Sequence, residues 1–536
     1  MKKISTSIST FKNIIESDYL YVDKTKYIYQ MVKEPFGQFF FSRPRRFGKS
    51  LTVSTLEAVF KAEKDLFKGL YIGDTDYTWE EYPVIHIDFG RSDSSTVANL
   101  EEWLKLEMTG IANSYDVNIT GSSPAIMFGE LIKALYNKYS KGIVILVDEY
   151  DRPITNNLED GKGVKLISRT MEAFYQMIKG YESMERFVFI TGITKASQVS
   201  IFSKLNNLID ISRSEKYSDA VGYNEIELRD NFNEYIMAAA EKSGCSIDEM
   251  VGKLASWYDG FKFTFDGVKV YNPVSVGRFF TENYTFGNYW YGTATPVMLV
   301  NYARKQKITL ESIQNALVTD ISFNSFDLMA LSENNVDSQT ITQLLFQTGY
   351  LTIGDRDERN NMPTYKLVYP NKEVQMSFET DLASVYLDKS IVEINSIASI
   401  IQNSAYDGDV NKMIEVLNGL FASIPYAIQL KYEKYYQSLM YLTFRMCGME
   451  IDAESMTNNG RIDAVLEVGK NIYVIECKID KSAEEAMNQI NEKKYDQKFS
   501  DKVLEGHKII KIGMNFSTEK NKRCIDSIIV DEGNSK

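Results

Sequence analysis

Gln38-Phe39-Phe40-Phe41-Ser42-Arg43-Pro44-Arg45-Arg46-Phe47-Gly48-Lys49-Ser50 opens as an apolar run and closes on a basic turn with a single glycine. The run predicts a short buried strand. Behind it Leu51, Val53, Leu56, Val59 and Phe60 recur at helical spacing. Strand, loop and helix in that order form the context of a phosphate-binding loop, where backbone N–H groups and the positive end of the helix face an anion. On this reading Arg45, Arg46, Phe47, Gly48, Lys49, Ser50 and Leu51 surround a nucleotide's phosphates. Lys49 would pair with the β- and γ-phosphates and Ser50 would hold magnesium. Arg43 stands where the general GxxxxGK[ST] pattern has its first glycine, a place where positive φ is often wanted. Taken alone, Gly48-Lys49-Ser50 fits an ordinary helix start equally well.

A second segment shifts that balance. Gly142-Ile143-Val144-Ile145-Leu146-Val147 is a continuous apolar run, expected of a parallel strand buried on both faces, and it ends in Asp148-Glu149. Carboxylates at the tip of such a strand are costly unless they hold a cation or act on water. Asp148 is therefore read as a magnesium ligand and Glu149 as the group that positions or deprotonates the attacking water; a solvated strand end is the alternative. Val84–Phe89 and Phe187–Ile190 fit the same sheet, and Thr191 or Thr194 at the tip of the latter could sense a γ-phosphate or cap the next turn. Helical patterns lie between the strands, so the pattern is α/β with a parallel sheet whose ligands sit at the strands' carboxyl ends.

Near the far end of the chain, Arg461–Leu466 and Ile472–Lys478 read as two strands around the turn Val468-Gly469-Lys470-Asn471. A turn centred on Gly469-Lys470 sets Asp463 opposite Glu476, and the strand period of two brings Lys478 to their face. Adjacent carboxylates repel unless a cation lies between them, and Mg²⁺ or Mn²⁺ suits oxygen ligands. Asp463 and Glu476 are the metal candidates; Lys478 beside them could orient water and stabilise phosphate charge. The arrangement resembles the PD-(D/E)XK pattern of phosphodiesterases. Glu433, in an amphipathic helix upstream, and Glu454, in the link to the first strand, could approach the metal or be solvated surface charges. Gln489, Lys494 and Tyr495, on or just after the helix that follows, could touch a substrate backbone or simply pack over the sheet.

The bulk numbers bound these readings. A chain of 536 residues exceeds one hydrophobic core, since domains run to roughly 100–200 residues. With 44% hydrophobic and 25% charged residues and only 10 prolines, nearly all of it should fold. No run reaches the ~18 apolar residues a membrane span needs, and the start, Met1 to Ile15, is polar where a signal peptide needs an apolar stretch. The expectation is a cytosolic protein. Cys245, Cys447, Cys477 and Cys524 are scattered singly and read as free thiols; with only His86 and His507, a zinc site of His and Cys ligands is excluded as the working reading. A net charge of -13 argues against coating nucleic acid through the overall field and leaves a local basic groove, such as Arg43, Arg45, Arg46 and Lys49, as the route.

The combination resembles bacterial proteins with an AAA-ATPase-like N-terminal region and a C-terminal PD-(D/E)XK nuclease domain. The likeness rests on Tyr21-Val22-Asp23-Lys24-Thr25, Ser42–Ser50, Val147–Asp151, Thr191–Lys195, Tyr271-Asn272-Pro273, Gly349-Tyr350-Leu351, Pro370-Asn371-Lys372-Glu373-Val374 and Gly460–Asp463. It implies that Arg43 is a family trait of the phosphate loop. The expected fold is a P-loop ATPase core over 1–213, a helical lid over 214–300, a helical and winged-helix-like region over 301–410, and a restriction-endonuclease-like α/β domain over 415–536. The expected cofactors are ATP and Mg²⁺, with Mn²⁺ open at the nuclease site. Nucleic acid is the expected partner, DNA favoured over RNA, in defence or mobile-element biology. Self-association is open, and Arg152 and Arg213 are candidates for an arginine that completes the ATPase site. The competing reading is a nucleotide-switched binding module with an inactive nuclease fold.

Overall fold

The computed structural model describes residues 1–158, 160–195, 207–291, 317–319, 338–357, 363–387, 389–422, 439–441, 443–445, 447, 449–457, 460–519 and 525–531. The described residues up to 291, together with 317–374, form one compact unit, and those from 375 onward form another. This grouping is coarser than the four segments anticipated from sequence.

The first unit is built on a five-stranded parallel sheet: β1 (Gly37–Ser42), β2 (Val84–Asp88), β3 (Ile143–Asp148), β4 (Glu185–Gly192) and β5 (Ile209–Asp210), in the order β2-β3-β4-β1-β5. Every residue of β3 is buried, as its unbroken apolar run requires. The register sets Asp88 beside Asp148 and Phe41 beside Thr191, so the polar strand tips align at one edge of the sheet. Helix Lys49–Phe60 leaves β1 through the basic loop and packs on the sheet, while helices Val97–Ser114, Pro124–Tyr139 and Gly163–Gly180 pack on one another. Hydroxyl caps at Thr96 and Ser123, the latter before Pro124, start two of them.

Within the same unit, helices Glu225–Ser243, Ile247–Tyr258 and Pro273–Thr281 share a core of Leu228, Phe232, Leu254, Tyr258 and Phe279. The aromatic turn at 257–261 belongs to this packing: Trp257 stacks on Phe286 at 5.5 Å. Helix Ser338–Thr348 is followed by the antiparallel pair β7 (Thr352–Asp357) and β8 (Thr364–Val368), and a third strand, β6 (Leu317–Thr319), joins β8.

The second unit carries the sheet β13-β12-β11-β10-β9, made of β9 (Glu450–Thr457), β10 (Gly460–Val468), β11 (Asn471–Ile479), β12 (Lys508–Phe516) and β13 (Ile525–Asp531). β9, β10 and β11 run antiparallel in sequence, whereas β12 is parallel to β11 after a crossover through helix Ala483–Glu492. Two elements go beyond the sequence reading. Glu454, expected in a link, lies in strand β9, whose polar composition hid it. β13 was not anticipated. Glu433 and Cys524 lie outside the described residues, and Cys245, Cys447 and Cys477 form no disulfide among the described residues. Among the described residues no helix is long and apolar enough to cross a membrane.

Candidate functional site

At the tip of β1 the chain turns through residues with positive φ at Arg46 (64°) and Gly48 (103°), and Arg43 is spared that conformation. Arg43 does something else. It is 2% exposed, lies 4.4 Å over the Phe41 ring and 4.1 Å over the Phe263 ring, and donates to the carbonyls of Ser42 (2.9 Å), Ser212 (2.6 Å) and Tyr217 (3.1 Å). The basic run is therefore split: Arg43 is a buried strut, while Arg45 and Arg46 reach the surface. Phe47 is buried against Phe261 and Phe263.

Helix Lys49–Phe60 begins on Gly48 with no side chain capping its first turn. Its leading N–H groups are thus open to an anion. Lys49 Nζ sits 2.9 Å from both the Arg43 and Pro44 carbonyls; burial lowers its pKa, and Asp148, Glu149 and Asp151 pull it back up. Asp148 is buried and bonded to the Ser50 side chain, with its pKa raised chiefly by burial. Glu149, at φ 51°, pairs with Arg152 at 2.5 Å. Thr191 donates to the Phe41 carbonyl at 2.6 Å, and Thr194 donates to Asp151 at 2.7 Å, so both hydroxyls brace strand ends.

A cavity of about 460 Å³ opens on this loop, lined by Arg45, Arg46, Phe47, Gly48, Lys49, Ser50, Leu51, Glu149 and Arg152. Its other wall comes from Ser5–Ser9, Tyr21, Val22, Lys24, Ala220–Tyr223 and Pro273–Val274. Sequence reasoning gave that wall no role, although Tyr21–Lys24 and Pro273 fall in the stretches that carry the family likeness. Arg213 lines a separate hollow with Asp210 and Gln347. The cavity's size, its uncapped helix and the Lys49, Ser50 and Asp148 cluster fit a nucleoside triphosphate with magnesium.

In the second unit the register Ala464↔Ile475 through Val468↔Asn471 continues to set Asp463 across from Glu476. Asp463 accepts the Cys477 N–H at 2.8 Å. Glu476 is 1% exposed, and its carboxyl is pushed up to about 7, first by burial and then by Asp463. Its Oε1 accepts from Lys478 at 3.0 Å and from the Gln489 amide, whereas Oε2 is buried with no hydrogen-bond partner among the described residues. Lys478 also donates to Gln489 Oε1 at 2.8 Å, and the Gln489 amide lies 3.4 Å from the Tyr495 hydroxyl. Gln489 is thus brought into the cluster and Lys494 stays exposed. Among the described residues no group of three or more His, Cys, Asp or Glu side chains converges. Two carboxylates, one with an orphaned buried oxygen, fit Mg²⁺ or Mn²⁺, which bind through one or two carboxylates and keep several waters.

Residues 5–202 match the AAA-ATPase-like family, described as a predicted AAA-ATPase, and residues 431–525 match the PD-(D/E)XK nuclease superfamily. An uncharacterised protein from the vnfD 5′ region of Azotobacter chroococcum mcd 1 is 32% identical over 545 residues, covering 99% of each chain.

Proposed function

Since the chain belongs to the family that joins an AAA-ATPase-like region to a C-terminal PD-(D/E)XK nuclease-superfamily domain, we propose that it hydrolyses ATP and, under control of the bound nucleotide, cleaves phosphodiester bonds in nucleic acid. The observation that carries the nuclease half is the orphaned, buried Oε2 of Glu476 beside Asp463 and Lys478. A buried carboxylate oxygen without a partner is costly, and a cation relieves that cost.

In the first unit Lys49 and the opening N–H groups of its helix would take the phosphates, and Ser50 and Asp148 would hold the accompanying magnesium. Glu149 accepts the proton of the attacking water once its pair with Arg152 opens. In the second unit Asp463 and Glu476 would hold a divalent cation, which supplies Lewis-acid polarisation of the phosphate and a more acidic water. Lys478, fixed by Glu476 and Gln489, would orient the attacking water and offset the charge that builds on the phosphate. DNA is the preferred substrate of this reading and RNA the second.

The test compares wild type, Lys49→Ala and Asp463→Ala on DNA and RNA with Mg²⁺ or Mn²⁺, with and without ATP. Expected is cleavage that depends on Asp463 and responds to ATP only when Lys49 is present. Cleavage that survives Asp463→Ala sinks the site assignment, and cleavage indifferent to both ATP and Lys49→Ala sinks nucleotide control. Binding without cleavage of any substrate favours a nucleotide-switched binding module.

A further inference from the structure

Tyr271-Asn272-Pro273, Gly349-Tyr350-Leu351 and Pro370–Val374, three of the stretches that carry the family likeness, are joined to Pro44-Arg45 of the phosphate loop by close packing and a chain of hydrogen bonds. Gly349 holds φ 89°, and a Cβ there would stand 2.8 Å from Pro44 Cγ. Beside it the buried Trp290 donates its indole N–H to the Arg45 carbonyl at 2.9 Å. The Trp290 backbone N–H donates in turn to Glu373 Oε1 at 2.6 Å, and the other oxygen of Glu373 accepts from Ser275 Oγ at 2.7 Å. Ser275 lies in the first turn of helix Pro273–Thr281, where Asn272 accepts from the Val274 and Ser275 N–H groups at 3.0 Å each. Pro273 and Val274 line the nucleotide cavity. One buried carboxylate therefore ties both walls of that cavity together.

Glu373 is the second residue of helix Lys372–Leu387, whose start is fixed by Asn371: its Oδ1 accepts the Val374 N–H at 3.1 Å and its Nδ2 donates to the Asp259 carbonyl at 2.7 Å. Ser275 and the Trp290 and Tyr291 backbones satisfy Glu373 with neutral donors. A buried polar network of this kind specifies one arrangement of the elements it joins. A loop that closes on phosphates shifts or stiffens the Arg45 carbonyl, and the indole passes that constraint to Glu373. Coupling of this sort is reciprocal.

Resting on the nucleotide reading above, we propose that Glu373 and Trp290 are positioning residues of the phosphate loop, through which a bound nucleoside triphosphate orders the start of helix Lys372–Leu387.

Hydrogen–deuterium exchange on the full chain, with and without MgATP, tests this in wild type, Glu373→Ala, Glu373→Gln and Trp290→Phe. In wild type MgATP should slow exchange both at 43–52 and at 372–387. Glu373→Ala and Trp290→Phe should keep the slowing at 43–52, lose it at 372–387, and bind MgATP on the order of tenfold more weakly. Glu373→Gln can accept from the Trp290 N–H and donate to Ser275 Oγ, and should keep both effects. Should Glu373→Ala fail to fold, Trp290→Phe decides alone. Slowing at 372–387 that persists in Trp290→Phe overturns the proposal, as does wild-type slowing confined to 43–52. No slowing at 43–52 in wild type overturns the nucleotide reading itself, and this inference with it.

Discussion

Lys478 Nζ lies 2.8 Å from Oε1 of Gln489, a residue carried by a helix that crosses the sheet above β12. The same glutamine donates to Glu476, so one amide sets both the lysine and the buried carboxylate. The helix reaches this position because β12 has no side chain where it passes. A Cβ on Gly513 would stand 2.7 Å from the Met487 backbone nitrogen and 2.8 Å from the Ala483 carbonyl oxygen.

Gly513→Ala should therefore push the helix off the sheet and withdraw Gln489 from Glu476 and Lys478. The expected cost is about 1–3 kcal/mol of stability in the second unit, with a loss of cleavage larger than the loss of folded protein. Thermal unfolding and a cleavage assay on the same preparation check it; wild-type values in both would show that the helix is free to lift.

Arg43→Gly restores the first glycine of the general phosphate-loop pattern, yet it should harm the protein. The guanidinium is stacked between Phe41 and Phe263 and serves three carbonyls. Its removal should cost about 2–4 kcal/mol and weaken nucleotide binding. Chemical denaturation and nucleotide titration check this, and tighter binding at unchanged stability would contradict it.

That strut marks the limit of what the sequence discloses. The strand, loop and helix from Gln38 to Phe60 follow from local periodicity, but the burial of Arg43 depends on Phe263, far along the chain. The register placing Asp463 across from Glu476 follows from a turn centred on Gly469-Lys470, because hairpin symmetry is a local rule. Gln489 was legible only as a candidate, since its contact depends on where a helix crosses the sheet. β9 escaped notice because Glu450-Ile451-Asp452-Ala453-Glu454-Ser455-Met456-Thr457 has little β-branched or alternating apolar character.

Glu185 predicts a pH effect in the first unit. It accepts from Gln38 at 2.7 Å while its other oxygen is buried without a partner among the described residues, and its carboxyl is pushed up to about 8 from 4.5, mainly by burial and secondarily by Glu182. Between those values the folded chain holds a proton that the unfolded chain has lost. Its contribution to stability is therefore fully present below 4.5 and is lost as pH rises through 8. Glu185→Gln should remove this loss, gaining on the order of 3–4 kcal/mol relative to wild type between about pH 5 and about pH 8. Denaturation midpoints that shift in parallel across that range would contradict the assignment.

Whether Asp463, Glu476 and Lys478 form a phosphodiesterase site is tested most directly by the rate of DNA cleavage by Lys478→Ala with Mn²⁺. With folding verified by thermal unfolding, the rate should fall at least about 100-fold. A rate within about threefold of wild type would contradict it.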